Sequence, residues 1–426
     1  MTSPDAQPPT SVSALLADIE DVGRDATRGG YSRFVYSGPE LTLREWFAAE
    51  AQRRSLDLET DRNGVLWAWR PAADGSLDGA VVTGSHLDSV PGGGAFDGPL
   101  GVASAFHALD LLDARGLTRR RRAVAVAAFP EEEGGRFGVA CLGSRLMTGA
   151  IDPDRARGLT DVDGTTFAEA SAAAGIDPAR LGRDDDRLRG LSAFVELHVE
   201  QGRGLVDLGR PVAVGSSILG HGRWRLTLRG QGNHAGTTLM RERRDPMVAA
   251  AAVVLAVRDL AAGQPDARAT VGRIVPVPGG TNVIASRVDL WLDVRHLEDE
   301  VTHALVARIS ERAAAVAATE GCEVSVVEES SSPTTTLDEG LRARIATVLP
   351  DAPVLATGAG HDAGVLGHVL PTAMLFVRNP TGISHSPEEH VEGADADAGG
   401  AVLADVLGHL LSGDAQLPER NHRSPG

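Results

Sequence analysis

Lysine is absent from this 426-residue chain, and all 41 of its basic residues are arginine. Without a side-chain amine there is no Schiff-base chemistry, which excludes a pyridoxal-type cofactor lysine, and no Walker-type phosphate loop. Cysteine is nearly absent too. The two present, Cys141 and Cys322, lie far apart and form neither a disulfide framework nor a thiolate metal site, which fits a reducing compartment. No apolar run approaches the length of a membrane span, and the polar, proline-rich residues 1–10 lack the basic and apolar regions of a secretory leader. The expectation is a cytoplasmic protein with no membrane partner. No Gly-x-Ser-x-Gly elbow occurs, so the usual serine-hydrolase signature is missing. Basic charge is also scarce: the net charge of −17 argues against nucleic acid as a partner, and an anionic ligand must be met by a local arginine patch.

What is present is a long chain, 42% hydrophobic, that suits two domains and at least one large core. Helical patterns at residues 12–20 and 44–54 precede an apolar run, 79–83, that reads as a buried strand ending at Gly84-Ser85-His86-Leu87-Asp88. A glycine-rich loop (Gly92, Gly93, Gly94) leads to Asp97 and a helix at about 100–112. A second buried strand, 123–129, runs into Glu131-Glu132-Glu133-Gly134, and a third, 193–199, puts Glu196, His198 and Glu200 on one face. Strands alternating with helices predict an α/β fold: a mostly parallel sheet covered by helices, with ligands gathered where the strands end.

The pattern then changes. Residues 223–229 alternate Trp224, Leu226 and Leu228 with arginines and Thr227, as a half-exposed antiparallel strand does. A helix (245–262), two strands (269–277, 287–296), a helix (300–318) and a strand (323–328) complete the order of a split ferredoxin-like α+β unit. The expected organisation is a catalytic domain of residues 1–216 plus 333–426, split by an inserted domain of residues 217–332. The polar run 328–336 reads as a hinge or linker, a strand follows at 372–377 and a helix at about 397–411, and the tail 416–426 reads as disordered.

Five residues at predicted strand ends or adjoining loops form a metal-ligand set: His86, Asp97, Glu133, His198 and His385. Imidazole nitrogen and carboxylate oxygen suit zinc, manganese, cobalt or nickel, and a carboxylate can bridge two such ions about 3.5–4 Å apart. Two divalent ions account for five ligands. A lone histidine is more often a structural or surface residue, and an acidic triplet is often a solvated cap. His-x-Asp at a strand end, an Asp in a glycine loop and paired glutamates after the next strand form a much more specific arrangement. Asp88, two residues after His86, is spaced to hold the imidazole's other nitrogen and fix its tautomer.

At these residues the sequence resembles the M20 metallopeptidase-like family, in its amidase/carbamoylase branch of allantoate amidohydrolases, N-carbamoyl-L-amino-acid hydrolases and beta-ureidopropionases. The matching segments are Gly84-Ser-His-Leu-Asp-Ser-Val-Pro, Gly94-Ala-Phe-Asp-Gly, Glu131-Glu-Glu-Gly-Gly-Arg-Phe, Glu196-Leu-His-Val-Glu-Gln-Gly, Gly232-Asn-His-Ala-Gly-Thr-Thr, Thr281-Asn-Val-Ile, Gly358-Ala-Gly-His-Asp-Ala and Ile383-Ser-His-Ser-Pro. The resemblance implies that His86 and His198 bind one metal, Glu133 and His385 the other, and that Asp97 bridges them, with Glu132 as general base. It implies a homodimer through the inserted domain acting as a lid, and catalytic His234 stabilising the oxyanion in its own or the neighbouring subunit's site. It also implies that Gln201, His234, Asn282 and Arg295 bind substrate. Gln201 and Asn282 also suit the satisfaction of buried backbone groups, Arg295 suits a surface salt bridge with Asp293 or Glu298, and His361 with Asp362 suits either a pair behind the site or a helix cap. Glu131 stands where many relatives have Asp, Leu239 where proline is usual, and Asn379-Pro-Thr-Gly replaces a commoner Asn-Gly-Gly. None of these removes a catalytic group.

The implied chemistry is hydrolysis of a carbamoyl group on a small carboxylate-bearing ureido substrate. Allantoate comes first, since the contexts of residues 129–134 and 377–385 most resemble allantoate amidohydrolases. An N-carbamoyl-L-amino acid or N-carbamoyl-beta-alanine is the alternative, and a dipeptidase or a metal-free binding protein of the same fold is more distant.

Overall fold

Four segments with no exposed face become the inner strands of a nine-stranded sheet: Val124–Phe129, Ala80–His86, Leu191–Val199 and Thr372–Val377, adjacent in that order and mutually parallel. Continuous burial is what strands covered on both sides require. In the computed structural model, which describes residues 9–116 and 121–412, the flanks of this sheet are antiparallel. Leu66–Arg70 pairs with Val124–Phe129, Asp57–Thr60 lies beyond it, and Val212–Ile218 pairs with Thr372–Val377. The expected α/β sheet is thus parallel at its centre, and the antiparallel outer strands are additions that apolar periodicity does not announce.

Helices Pro99–Ala114 and Gly393–Leu411 share one core with the sheet, in which Val102, Phe106, Leu109, Leu403 and Leu407 pack with Val81, Val124, Val195 and Leu375. Other strand positions send Phe129 and Phe194 into edge-to-face contact, with Trp67 edge-on to Phe129. A separate cluster, including Val35, Phe137, Leu142, Leu146 and Phe167, packs beneath the segment that follows Val124–Phe129. Helix Gly38–Arg53 starts earlier than expected because Ser37 stands at its N-cap position and Pro39 in its first turn, a local start signal that apolar periodicity alone overlooks.

The chain divides into two compact units, Ser217–Thr335 being one and the remaining described residues the other. Within Ser217–Thr335, Gly220–Arg229, Pro246–Ala262, Arg268–Val277, Arg287–His296, Asp299–Thr319 and Glu323–Ser332 follow in the order strand, helix, strand, strand, helix, strand. The four strands lie fourth-first-third-second in one antiparallel sheet, the split ferredoxin-like arrangement. Residues 328–332 are not the linker that their polarity suggests. After a bulge between Glu328 and Ser330, Ser330, Ser331 and Ser332 pair with Arg223, Gly222 and His221. An edge strand needs backbone pairing on one side only, so a run of serines serves as well as an apolar one. The tail 416–426 lies outside the described residues. Among the described residues, no helix is long and apolar enough to cross a membrane.

Gly84 shows how closely the central strands approach. It lies opposite Ala127 with φ +142°, and a Cβ there would collide with the Ala127 carbonyl oxygen. Gly84→Ala is therefore expected to cost about 2–4 kcal/mol through backbone strain and overpacking. The check is urea unfolding, where the midpoint should fall; an unchanged midpoint would remove the close-approach argument.

Candidate metal centre

The ends of the parallel strands bring the ligand set together. Gly84 is in register with Glu196, so His86 and His198, each two residues further on, stand level on neighbouring strands, with ring centroids 5.8 Å apart. Each ring is oriented by a backbone carbonyl: His86 Nδ1 lies 3.0 Å from the Asp88 carbonyl oxygen, and His198 Nδ1 lies 2.9 Å from that of Val199. Those carbonyls place the ring hydrogen on Nδ1 and leave the Nε2 lone pair facing the site.

Asp97 meets them from the loop between Ala80–His86 and Pro99–Ala114. Its Oδ1 is 3.3 Å from His86 Nε2 and 3.1 Å from His198 Nε2, while its Oδ2 is 3.5 Å from His385 Nε2. His385 Nε2 is also 3.2 Å from Glu133 Oε2. The five side chains thus form two overlapping groups, His86-Asp97-His198 and Asp97-Glu133-His385, with Asp97 common to both. The donor atoms fit divalent ions: His86 Nε2, His198 Nε2 and Glu133 Oε1 are buried and find no hydrogen-bond partner among the described residues. Buried polar atoms without partners are costly, and a cation satisfies nitrogen and oxygen donors together.

The acidic turn is built to present two carboxylates. Glu131, fully buried with φ +54°, accepts the N–H groups of Arg136 at 3.0 Å and Phe137 at 2.5 Å, closing the turn on itself. Glu132 then sits with Oε2 3.6 Å from His86 Nε2 and Oε1 3.4 Å from the Cys141 thiol. Asp88 has a different task from the one its spacing suggests. Its carboxylate is 3.7 Å from His86 Nδ1 and instead accepts the N–H groups of Glu132 and Glu133, each at 3.1 Å. Two backbone donors directed at one carboxylate outcompete a single ring nitrogen, and the Asp88 main-chain oxygen takes over the imidazole.

Charges in this cluster push against one another. Burial pulls the His86 imidazole down, but Glu132, Asp97 and Asp88 raise it well above its ordinary value. Burial raises Asp97, yet His198 and His86 hold it well below the carboxylate range. Burial drives Glu132 well up against the opposing pull of His86, and Asp362, Glu133 and Glu196 add to the rise. His385 reaches about 9, chiefly through its hydrogen bond to Glu133. A buried site holding this many carboxylates is a strong attractor for positive charge.

The remaining predicted residues divide. Gln201 donates to Asp97 Oδ2 at 2.9 Å and to Ser384 Oγ at 3.1 Å, so it belongs to the ligand cluster itself rather than satisfying backbone groups. His361 makes no side-chain cap: its buried ring packs edge-on against His198 at 4.4 Å, and Asp362 takes a hydrogen bond of 2.5 Å from Ser144. In the second unit, the exposed His234 lies on a two-stranded ribbon, paired with Val283, and the exposed Asn282 lies in the turn just before Val283, its carbonyl accepting the Ala235 N–H. Arg295 pairs bidentately with Asp293, at 2.7 and 3.1 Å.

Several functional neighbours carry no clear signal in the sequence. Cys141 reads there only as a free thiol, yet it faces Glu132. Glu389 accepts the N–H groups of Phe96 and Asp97. The glycine loop is sewn to the amino-terminal segment by paired hydrogen bonds between Tyr31 and Gly93, both 2.9 Å. The only local hint for Glu389 is its place four residues after His385.

Residues 82–409 match the family model described as Peptidase family M20/M25/M40. An N-carbamoyl-L-amino acid amidohydrolase of Geobacillus stearothermophilus is 34% identical over 403 residues, covering 94% of this chain and 98% of its own. An allantoate amidohydrolase of Bacillus subtilis is 33% identical over 412 residues, covering 93% of this chain and 96% of its own. Among solved structures, an amidase of the hydantoinase/carbamoylase family from Burkholderia multivorans matches with a TM-score of 0.82 at 28% identity, covering 95% of this chain and 99% of that one.

The shared position of Asp97 makes a graded expectation. If each group holds one divalent ion, Asp97→Ala should abolish tight uptake of both, whereas His385→Ala, removing a half-exposed member of one group only, should retain one. Elemental analysis of desalted, Mn2+-loaded protein measures this, and equal metal content in the two variants would contradict the bridging arrangement.

Proposed function

Because the chain belongs to peptidase family M20/M25/M40 and is a hydrolase, we propose that it cleaves a C–N bond of a carbamoyl group on a small carboxylate-bearing substrate. The observation that carries this reading is Asp97 turning one oxygen to His86 and His198 and the other to His385, with Glu132 alongside. His86 and His198 would hold one divalent ion, Glu133 and His385 the other, and Asp97 both. When bound, such ions supply Lewis acidity toward the ureido carbonyl and make a water easier to deprotonate.

Glu132 does the proton work. Its burial makes it a strong proton acceptor, and its two backbone-anchored neighbours, Glu131 and Glu133, keep it in place. It takes a proton from the attacking water as that oxygen bonds to the ureido carbon. As the bond from that carbon to the substrate's amine nitrogen breaks, Glu132 delivers the proton there, and the carbamic acid released decomposes to ammonia and carbon dioxide. Proton transfer of this kind contributes about 10²–10⁴-fold. His234 suits the oxyanion: its Nδ1 accepts the Gly236 N–H at 3.1 Å, which places the neutral ring's hydrogen on Nε2 as a donor. One such donor is typically worth about 2.7–4 kcal/mol. Arg295 offers a charge for the substrate carboxylate, and Asn282 and Gln201 offer amides.

Allantoate is the first substrate on this reading, from the contexts of residues 129–134 and 377–385. An N-carbamoyl-L-amino acid is the second, favoured by likeness to the amidohydrolase of that specificity. The test is ammonia release by Mn2+-loaded protein from allantoate, N-carbamoyl-L-amino acids, N-carbamoyl-beta-alanine and a dipeptide. One ureido compound should be turned over, chelation should stop it, and Glu132→Gln should lower kcat by about 10²–10⁴-fold while both ions stay bound. Cleavage of the dipeptide alone, or full activity after removal of all divalent ions, would sink the proposal.

The same reading includes a cytoplasmic homodimer through Ser217–Thr335. Support comes from an apolar stripe on helix Pro246–Ala262, where Val248 (45% exposed), Ala251 and Leu255 (53% exposed) share a face, and from the edge strand Arg268–Val277, which exposes Ile274. Cys141 and Cys322 are free and buried, consistent with a reducing compartment. Sedimentation should give a dimer for the native chain and a monomer for Leu255→Glu; a monomeric native chain at micromolar concentration argues the opposite.

A further inference from the structure

Asp97 can serve two ions only if its loop holds still. That loop, residues 87–98, contains Gly92, Gly93, Gly94 and Gly98, and glycine gives up more conformational freedom on ordering than any other residue. The segment immediately before and at Asp97 is fastened by a carboxylate from the far end of the chain. Glu389 Oε1 accepts the backbone N–H groups of Phe96 and Asp97, both at 3.0 Å. Its Oε2 faces Ser384 Oγ at 3.0 Å, and that hydroxyl is also 3.2 Å from Asp97 Oδ2. A hydroxyl has one hydrogen, so Ser384 serves one of the two carboxylates at a time and joins them through a single atom.

The seat for this carboxylate is Gly94. A Cβ at Gly94 would collide with the Glu389 carboxyl group and lie 2.6 Å from the Glu389 Cβ, so the glycine is what lets the side chain lie across the loop. Glu389 is itself only 4% exposed. Packing alone does not call for a buried carboxylate, which costs desolvation; two parallel N–H donors and a hydroxyl offset that cost and fix its direction.

We infer that Glu389 is the positioning residue of the centre, clamping the Asp97 loop to the segment that carries His385 so that ligands from opposite ends of the chain meet in one geometry. This rests on the dinuclear reading of the site. Glu389 touches no metal ligand atom directly in this role: it acts through the N–H groups of Phe96 and Asp97 and through Ser384.

The test is Mn2+ binding by calorimetric titration of the metal-free full-length chain, together with hydrogen exchange of segment 94–98 before metal is added. Glu389→Ala should weaken Mn2+ binding by about 10–100-fold, the usual scale for a partner behind a ligand. It should also speed exchange at Phe96 and Asp97 in the metal-free protein. Glu389→Gln, which keeps an oxygen acceptor in place, should fall between Glu389→Ala and the native chain. Gly94→Ala, which leaves Glu389 present but displaces it, should reproduce the loss seen with Glu389→Ala. Native affinity and native exchange in Glu389→Ala, or in Gly94→Ala should Glu389→Ala fail to fold, would overturn the inference and leave the dinuclear reading standing. Failure of the native chain itself to bind two ions would overturn both.

Discussion

The candidate metal centre depends on one carboxylate facing two ways. Asp97 turns Oδ1 toward imidazoles at two strand ends and Oδ2 toward His385, and among the described residues no other side chain belongs to both groups. Strand register brings His86 and His198 level, a rigid arrangement inherited from the hydrogen-bond ladder. Asp97 has no such inheritance, because it sits in a glycine-rich loop. Its precision comes instead from side chains that bond the loop's own backbone and the carboxylate itself: Glu389 at Phe96 and Asp97, and Gln201 at Asp97 Oδ2. Rigid elements fix two candidate ligands, and a hydrogen-bonded loop fixes the one between them.

Electrostatics follow from that crowding. Asp88, Glu131, Glu132, Glu196 and Asp362 are buried close together, and burial raises each of them. Such a set is unfavourable unless each member has donors or cations. Asp88 takes two backbone N–H groups, Glu131 two more, and Glu196 a serine hydroxyl and the Ala363 N–H. Asp362 takes the Ser144 hydroxyl, and Glu132 is bounded by an imidazole and a weakly donating thiol. Donors of this kind lower the cost of burying each carboxylate.

Much of this is legible in the amino-acid sequence. The buried strands read as largely apolar runs, and His86, Asp97, Glu133 and His198 stand out because they lie at the ends of such strands or in the loops that leave them. The illegible parts are those whose cause lies elsewhere in the chain. Asp88 sits two residues from His86, but its carboxylate serves Glu132 and Glu133, 44 and 45 residues away. Glu389 bonds N–H groups 292 and 293 residues distant, and nothing near it in sequence says so. Residues 328–332 look like linker because composition cannot register a ladder formed with Arg223, Gly222 and His221. Short-range patterns report a residue's own conformation, whereas a hydrogen-bond acceptor chooses its partner in three dimensions.

The residues of the second unit proposed to bind substrate differ from the candidate ligands in their exposure. Ligands for a metal are best buried and immobile, but groups meant for a transient anion must remain reachable by solvent. His234 and Asn282 are exposed, and order is imposed on them from beneath by a two-stranded ribbon and by the Gly236 N–H that sets the imidazole's hydrogen. Arg295 is steadied by Asp293, two residues back on the same strand face, whose carboxylate is held low through Arg295 and Arg223 against the effect of burial. A guanidinium paired in this way keeps its charge and loses much of its rotamer freedom before any ligand arrives, so less ordering is left to be done on binding. Preorganisation at these solvent-exposed positions therefore comes from backbone pairing and neighbouring charge, where the candidate metal centre obtains it from strand register and hydrogen bonds to its loop.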